Sequence, residues 1–291
     1  MSPKPLQQVR IRRATAEDVA VCAPICYQAF ARINQQHNFP CDFESVEVPK
    51  GILGMMFSHP GFYCMVAEVD GRAVGSNCLD ERSIISGLGP ITVDPSLQNS
   101  GVGRKLMEAA LGRSREQGKA GVRLVQAAFH NRSLSLYASL GFDIREPLAC
   151  MNGQAIGRSA SGSTVRPAEP ADIPACDELS FRVHGFARGG ELSEAIQAGT
   201  ARVVVRDGRI TAYTSAVAFW GHATAESNRD LEALLGAAES IGGAGVLVPT
   251  RNTELFRWCL ANGLRVVQPM TLMSFGLYQD PSGAFWPSVL Y

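Results

Sequence analysis

Two stretches of this chain set chemically capable residues at spacings that suit anion binding and proton transfer. The first is Gln98-Asn99-Ser100-Gly101-Val102-Gly103-Arg104, which opens an amphipathic run with apolar residues at Val102, Leu106, Met107, Ala110 and Leu111. That spacing predicts a helix, and the first turn of a helix leaves backbone N–H groups unpaired beside the positive end of its dipole. Gly101 and Gly103 put no side chain in the way, so the amides from Gln98 to Arg104 could cradle a pyrophosphate. The second is Tyr137, on a helical run that starts at His130-Asn131 and ends at Gly141-Phe142; its phenol could pass a proton to a leaving group. Asp80-Glu81 offers carboxylates for a general base, and a pair of solvated turn charges accounts for it equally well. His37 and His130 are weaker candidates for that role.

These groups need particular elements to hold them. Ile91 to Val93 are apolar or β-branched and read as a strand, which Asp94-Pro95-Ser96 stops just before the glycine loop. A second strand, Gly121 to Ala128, feeds the helix that carries Tyr137. The loop lacks the Gly-Lys-Ser/Thr ending of a P-loop, and Leu106 stands where a dinucleotide fingerprint would have its third glycine.

The order Gln98-x-x-Gly101-x-Gly103, with Val93-Asp94-Pro95 leading in, resembles the acetyl-coenzyme A loop of the GNAT superfamily of N-acetyltransferases. His130 to Phe142 is similar to the last helix of that superfamily, with Tyr137, Gly141 and Phe142 in register. Two positions depart: His130 stands where the family has asparagine and Ser133 where it has alanine, while Asn131 is one place out of register. The resemblance covers roughly residues 10 to 152 and implies an α+β fold, a twisted, mixed, mainly antiparallel sheet flanked by helices.

It implies a chemistry as well. Backbone N–H groups near Ile91 and Val93 would bind the thioester oxygen as charge develops on it, and the loop amides, with His130 and Asn131 close by, would hold the cofactor. Tyr137 would protonate the departing thiolate, a workable match because a thiol titrates near ~8.5 and a tyrosine near ~10. Glu81 would act as base on the acceptor amine, although desolvation can leave an amine neutral without one. Phe30 to His59, with Asn34, His37, Phe39 and Asp42, would build the acceptor pocket without naming its occupant. The implied activity is acetyl transfer from acetyl-coenzyme A to a primary amine of a small molecule or peptide. The alternatives are a non-catalytic acyl-coenzyme A sensor and transfer of a longer or acidic acyl group.

Composition narrows the rest. A chain of 291 residues, 46% hydrophobic, is long enough for two domains with their own cores. The 27 basic and 27 acidic residues balance, which gives neither nucleic acid nor an anionic membrane an electrostatic claim on it. Met-Ser-Pro-Lys-Pro is no signal-peptide start and no apolar run is long enough to span a bilayer, so a cytoplasmic location is expected. Eight cysteines without a Cys-x-x-Cys read as buried, reduced thiols, and no metal is expected. Homodimer formation is left open.

The sequence also repeats itself. Ile11 to Val19 returns in outline as Val165 to Ile173, the Asp70-Gly71-Arg72 hairpin as Asp207-Gly208-Arg209, and His130 to Asn152 as Asn252 to Ser274. The second copy has no Gly-x-Gly where the loop should be, and Cys259 replaces Tyr137. Asn252 does hold the family's asparagine position, where a helix cap is its expected role. This predicts a catalytic GNAT domain over 1–152, a small-residue linker over 153–163, and a degenerate GNAT-like domain over 164–291 whose aromatic tail, Phe285, Trp286 and Tyr291, covers a surface.

Overall fold

The computed structural model describes residues 8–158 and 161–290, so part of the expected linker and Tyr291 lie outside the described residues. The chain forms two compact units, one made of the chain through Glu81 with Ser86–Val122, the other of Arg82–Ile85 with the chain from Arg123 onward. The segment 153–163 therefore runs within the second unit.

The first unit begins with β1 (Arg10–Arg13), α1 (Val19–Gln36) and α2 (Glu47–Ser58), followed by β2 (Phe62–Val69) and β3 (Arg72–Asp80). β2 is antiparallel to β1 and to β3. The β2–β3 turn needs positive φ at both central residues, which Asp70 (φ 51) and Gly71 (φ 75) supply. β3 then takes two successive partners: β4 (Ile85–Leu88) beside Leu79 and Asp80, and β5 (Thr92–Val93) beside Gly75 and Ser76. Gly75 is what lets β5 come so close, since a Cβ there would meet the Thr92 carbonyl oxygen at 2.5 Å. α3 (Val102–Glu116) follows and packs on β3, as α1 also does, with Leu106 and Met107 buried. β6 (Gly121–Ala127) carries the chain out of the first unit.

In the second unit α4 (Asn131–Ser139) and β7 (Asp143–Asn152) complete the first copy of the repeat. The second copy supplies β8 (Thr164–Pro167), α5 (Ile173–His184), α6 (Gly189–Gln197), β9 (Arg202–Arg206), β10 (Arg209–Thr214), β11 (Ala223–Ala225), α7 (Asn228–Ala237), β12 (Val246–Pro249), α8 (Thr253–Ala261), β13 (Arg265–Gly276) and β14 (Ala284–Trp286). Strands from the two copies alternate in the order β6-β13-β7-β12. β7 and its counterpart β13 are thus each flanked by strands of the other copy, with β7 antiparallel to β12 and to β13. A further sheet runs β14-β11-β10-β9-β8. Its β9–β10 hairpin repeats the earlier geometry, with Asp207 at φ 50 and Gly208 at φ 75.

Both copies start on one device. Asp18 accepts two hydrogen bonds from the Arg12 guanidinium at 2.7 Å, and Asp172 accepts two from Arg166 at 2.6 and 2.8 Å. Each aspartate also accepts from a backbone N–H, of Thr15 and of Glu169, at 2.8 Å, which fixes the corner where strand turns into helix. The tail aromatics Phe285 and Trp286 are buried, in β14 against β11. The eight cysteines are free thiols, all buried except Cys41. Among the described residues no helix is long and apolar enough to cross a membrane, and no cluster of side chains could hold a metal ion.

Candidate functional site

In the first unit the glycine loop is a shaped helix entrance. Asp94 closes the end of β5 by accepting hydrogen bonds from the Ser96 N–H and hydroxyl at 2.8 and 2.7 Å, and Ser100 Oγ donates to the Leu97 carbonyl at 2.5 Å. Asn99 (φ 67) and Gly101 (φ 90) lie in the left-handed region, and Gly101 leads straight into the right-handed Val102, an alternation that turns successive N–H groups into one concavity. The first i→i−4 bond of α3 runs from Lys105 to Gly101, so the amides of Val102 to Arg104 precede the ladder. Nothing lies within 4 Å of where a Gly101 Cβ would stand, leaving open space in front of the helix.

Ile91 and Val93 sit just upstream. The Asp94 N–H is bonded to the Val74 carbonyl at 2.8 Å, and antiparallel alternation then aims the amides of Val93 and Ile91 away from β3. Glu81, at the far end of β3, is engaged: its carboxylate accepts from Arg113 Nε and Nη2 at 2.8 and 3.0 Å and its carbonyl from Lys119 Nζ at 2.7 Å. Arg113 also lies over the Tyr63 ring, 4.3 Å from its centroid. To take a proton Glu81 would have to release a bidentate guanidinium, so this arrangement favours a tie between the end of α3 and the sheet. Asn34 Nδ2 donates to Asp42 at 2.9 Å, joining two of the residues named for the acceptor pocket.

In the second unit Tyr137 is buried on α4, its ring 6.1 Å from that of Phe142, which in turn lies 5.7 Å from Phe275. Burial pushes the Tyr137 phenol up to about 12, partly opposed by a hydrogen bond from the Ser133 hydroxyl. Ser133 Oγ is also hydrogen-bonded to His130 Nδ1. The two positions that depart from the family pattern are therefore linked, and His130, Ser133 and Tyr137 form one chain. Helical spacing puts these residues about one turn apart. Asn131 is the first residue of α4, with its N–H on the Phe129 carbonyl at 3.1 Å and its own carbonyl accepting from Ser135 at 2.8 Å. Asn252, by contrast, caps α8 by accepting from the Leu255 N–H at 3.3 Å.

Residues 60–144 match the family described as the acetyltransferase (GNAT) domain. That segment holds the glycine loop, α3 and the helix of Tyr137. A solved protein of Pyrococcus horikoshii, provisionally described as an acetyltransferase, superposes with a TM-score of 0.75 at 18% identity, over 100% of this chain and 97% of its own. A GCN5-related N-acetyltransferase from Sphaerobacter thermophilus gives 0.58 at 16% identity over 95% and 98% of the two chains. A tandem GNAT protein from the clavulanic acid biosynthesis pathway gives 0.55 at 14% identity over 92% and 98%. The fold shared with these proteins, a mainly antiparallel sheet flanked by helices together with a second sheet, thus extends over the whole chain. No curated protein matches the chain in sequence.

Proposed function

We propose that this chain is an acetyl-coenzyme A-dependent N-acetyltransferase acting on a primary amine of a small molecule or peptide. The observation that carries the reading is the open, glycine-lined entrance to α3, with left-handed Gly101 and unobstructed space before it. The amides of Gln98 to Arg104 would hold a pyrophosphate there, as an anion is held at a helix N-terminus. Acetyl-coenzyme A would supply an activated acetyl thioester for direct attack by the amine. The amides of Ile91 and Val93, turned away from β3, would stabilise negative charge developing on an acyl oxygen.

Tyr137 keeps its proton at neutral pH, because burial raises its affinity for it, and can give that proton to a thiolate. Ser133 and His130 then offer a route by which the phenolate regains it. Glu81, held by Arg113, has a structural part in this scheme, and the amine loses its proton through desolvation on binding. The test is thiol release from acetyl-coenzyme A by the full chain across a panel of small amines and N-terminal peptides. Turnover with one class supports the reading; tight coenzyme A binding without transfer to any of them assigns the chain to the sensors.

A further inference from the structure

The unit that holds the glycine loop also buries four thiols that the proposed transfer does not use: Cys22 and Cys26 on α1, Cys64 on β2 and Cys78 on β3. Two of them face each other. Cys64 and Cys78 are direct partners in the β2–β3 pairing, which puts their side chains on one face of the sheet. Their backbones turn away from one another: the Cys64 carbonyl accepts from the Ala14 N–H and the Cys78 carbonyl from the Gly89 N–H, both at 2.9 Å. That marks a non-hydrogen-bonded pair, the narrow kind, in which Cα atoms stand about 4.5 Å apart and the side chains close in. A disulfide spans Cα separations of roughly 4.4–6.8 Å, so the backbone already suits one. The two thiols are hydrogen-bonded to each other, and Cys64 Sγ also donates to the Met56 carbonyl at 3.6 Å.

Buried thiols are inert until their cover opens. The cover over Cys64 is α2, which packs on β2 and whose last turn supplies that Met56 carbonyl. α2 is a weak helix. It carries Gly51 and Gly54 in its interior, no side chain caps its N-terminus, and Val48, Ile52 and Met55 face solvent. Its local opening brings a small oxidant to Cys64, while Cys78 beneath keeps its proton because burial raises its affinity for it.

We infer that Cys64 and Cys78 form a reversible redox pair, closed to a disulfide by hydrogen peroxide. The Cys64 sulfur attacks one peroxide oxygen, the O–O bond breaks, and the other oxygen leaves as water with the Cys64 proton, giving a sulfenic acid. The Cys78 sulfur then bonds to the Cys64 sulfur, the S–O bond breaks, and that oxygen leaves as water with the Cys78 proton. The thiols give up a pair of electrons and the peroxide takes them. The link lies on β3 close to Ser76, the partner of Thr92 in β5, so it fastens to β2 the strand that carries β5. The pair stands whether or not the helix entrance at Gly101 binds coenzyme A.

The test treats the native full chain with a modest excess of hydrogen peroxide, alkylates the remaining thiols, digests with trypsin and weighs the peptides. Cys64 falls in the peptide 51–72 and Cys78 in the peptide 73–82. They should be recovered as one linked species, lighter than their sum by the pair of hydrogens lost, which dithiothreitol separates. The oxidised chain should melt a few degrees higher than the reduced one, because the link constrains the unfolded chain. Cys41→Ser, which removes the exposed thiol, should leave the link unchanged, and Cys78→Ser should stop at a Cys64 sulfenic acid that dimedone traps. Recovery of the two peptides separately from the treated native chain, or of Cys64 joined to Cys22 or Cys26, overturns the inference.

Discussion

The two copies of the repeat enter their corresponding helices in opposite ways. At α3 the entrance is glycine, left-handed backbone and open space. At α7 it is closed from within: Ser227 Oγ donates to Asp230 at 2.6 Å, and the same carboxylate accepts from Arg206 at 2.7 Å and from Thr211 at 3.0 Å. Asp230, in the first turn of α7, supplies the negative charge that a helix N-terminus favours, and it is buried against the half-buried Arg206. One copy leaves the positive end of a helix open. The other satisfies it with its own side chain, a fixed contact where the first copy has open space.

Breaking the open entrance should have the largest effect. A valine or tryptophan at Gly101 or Gly103 should abolish coenzyme A binding, because the side chain enters the anion's space and, at Gly101, φ 90 strains any other residue. The native chain should bind one coenzyme A, and calorimetry finding two equivalent sites would erase the contrast between the copies.

Next in size is Tyr137→Phe, which keeps the ring and removes the proton. Transfer should slow by roughly a hundredfold to ten-thousandfold with cofactor affinity nearly unchanged. Since burial holds the phenol up to about 12, its deprotonation should cause no loss of rate between pH 7 and about 10. Native turnover in the phenylalanine variant would leave Tyr137 a packing residue like its counterpart Cys259.

The closed entrance can be broken too. Asp230→Ala leaves Arg206 and Thr211 facing a buried gap and should cost about 3–5 kcal/mol, read from the denaturant midpoint. It should create no second coenzyme A site, since no glycine pair replaces the carboxylate; a second site would show that Asp230 alone had blocked one.

The smallest effect concerns what the copies share. Arg12 holds the Asp18 carboxyl down to about 2, so its contribution is full above the ordinary carboxylate range and is lost as pH falls through about 2. Asp18→Asn should destabilise by about 1 kcal/mol at pH 7, the exposed side of Arg12 weakening the pair, and the difference should narrow below pH 4. Asp172, lowered by Arg166 in the same way, should behave alike. Unequal pH profiles of the two variants would mean that the matching corners carry different loads.

By itself the sequence determined the local pieces. Gly101 and Gly103 mark a helix entrance wherever they fall, the Asp-Gly pairs at 70–71 and 207–208 dictate hairpins through positive φ, and the recurrence of these signals in order declares two copies. Each is a property of a few consecutive residues, and local backbone energetics settle it. Other features depended on partners far along the chain. Glu81 looks the same in sequence whether it meets a substrate amine or, as here, Arg113; only packing α3 against the sheet chose the guanidinium. The Arg123 and Arg145 guanidiniums over the Tyr278 ring come from separate strands, and no spacing announces them. The alternation of β6, β13, β7 and β12 is the clearest case. β7 and β13 carry the same apolar pattern and backbone donors, so either could have paired at home, and the choice between them was made by the tertiary fold, where each strand finds two partners from the other copy.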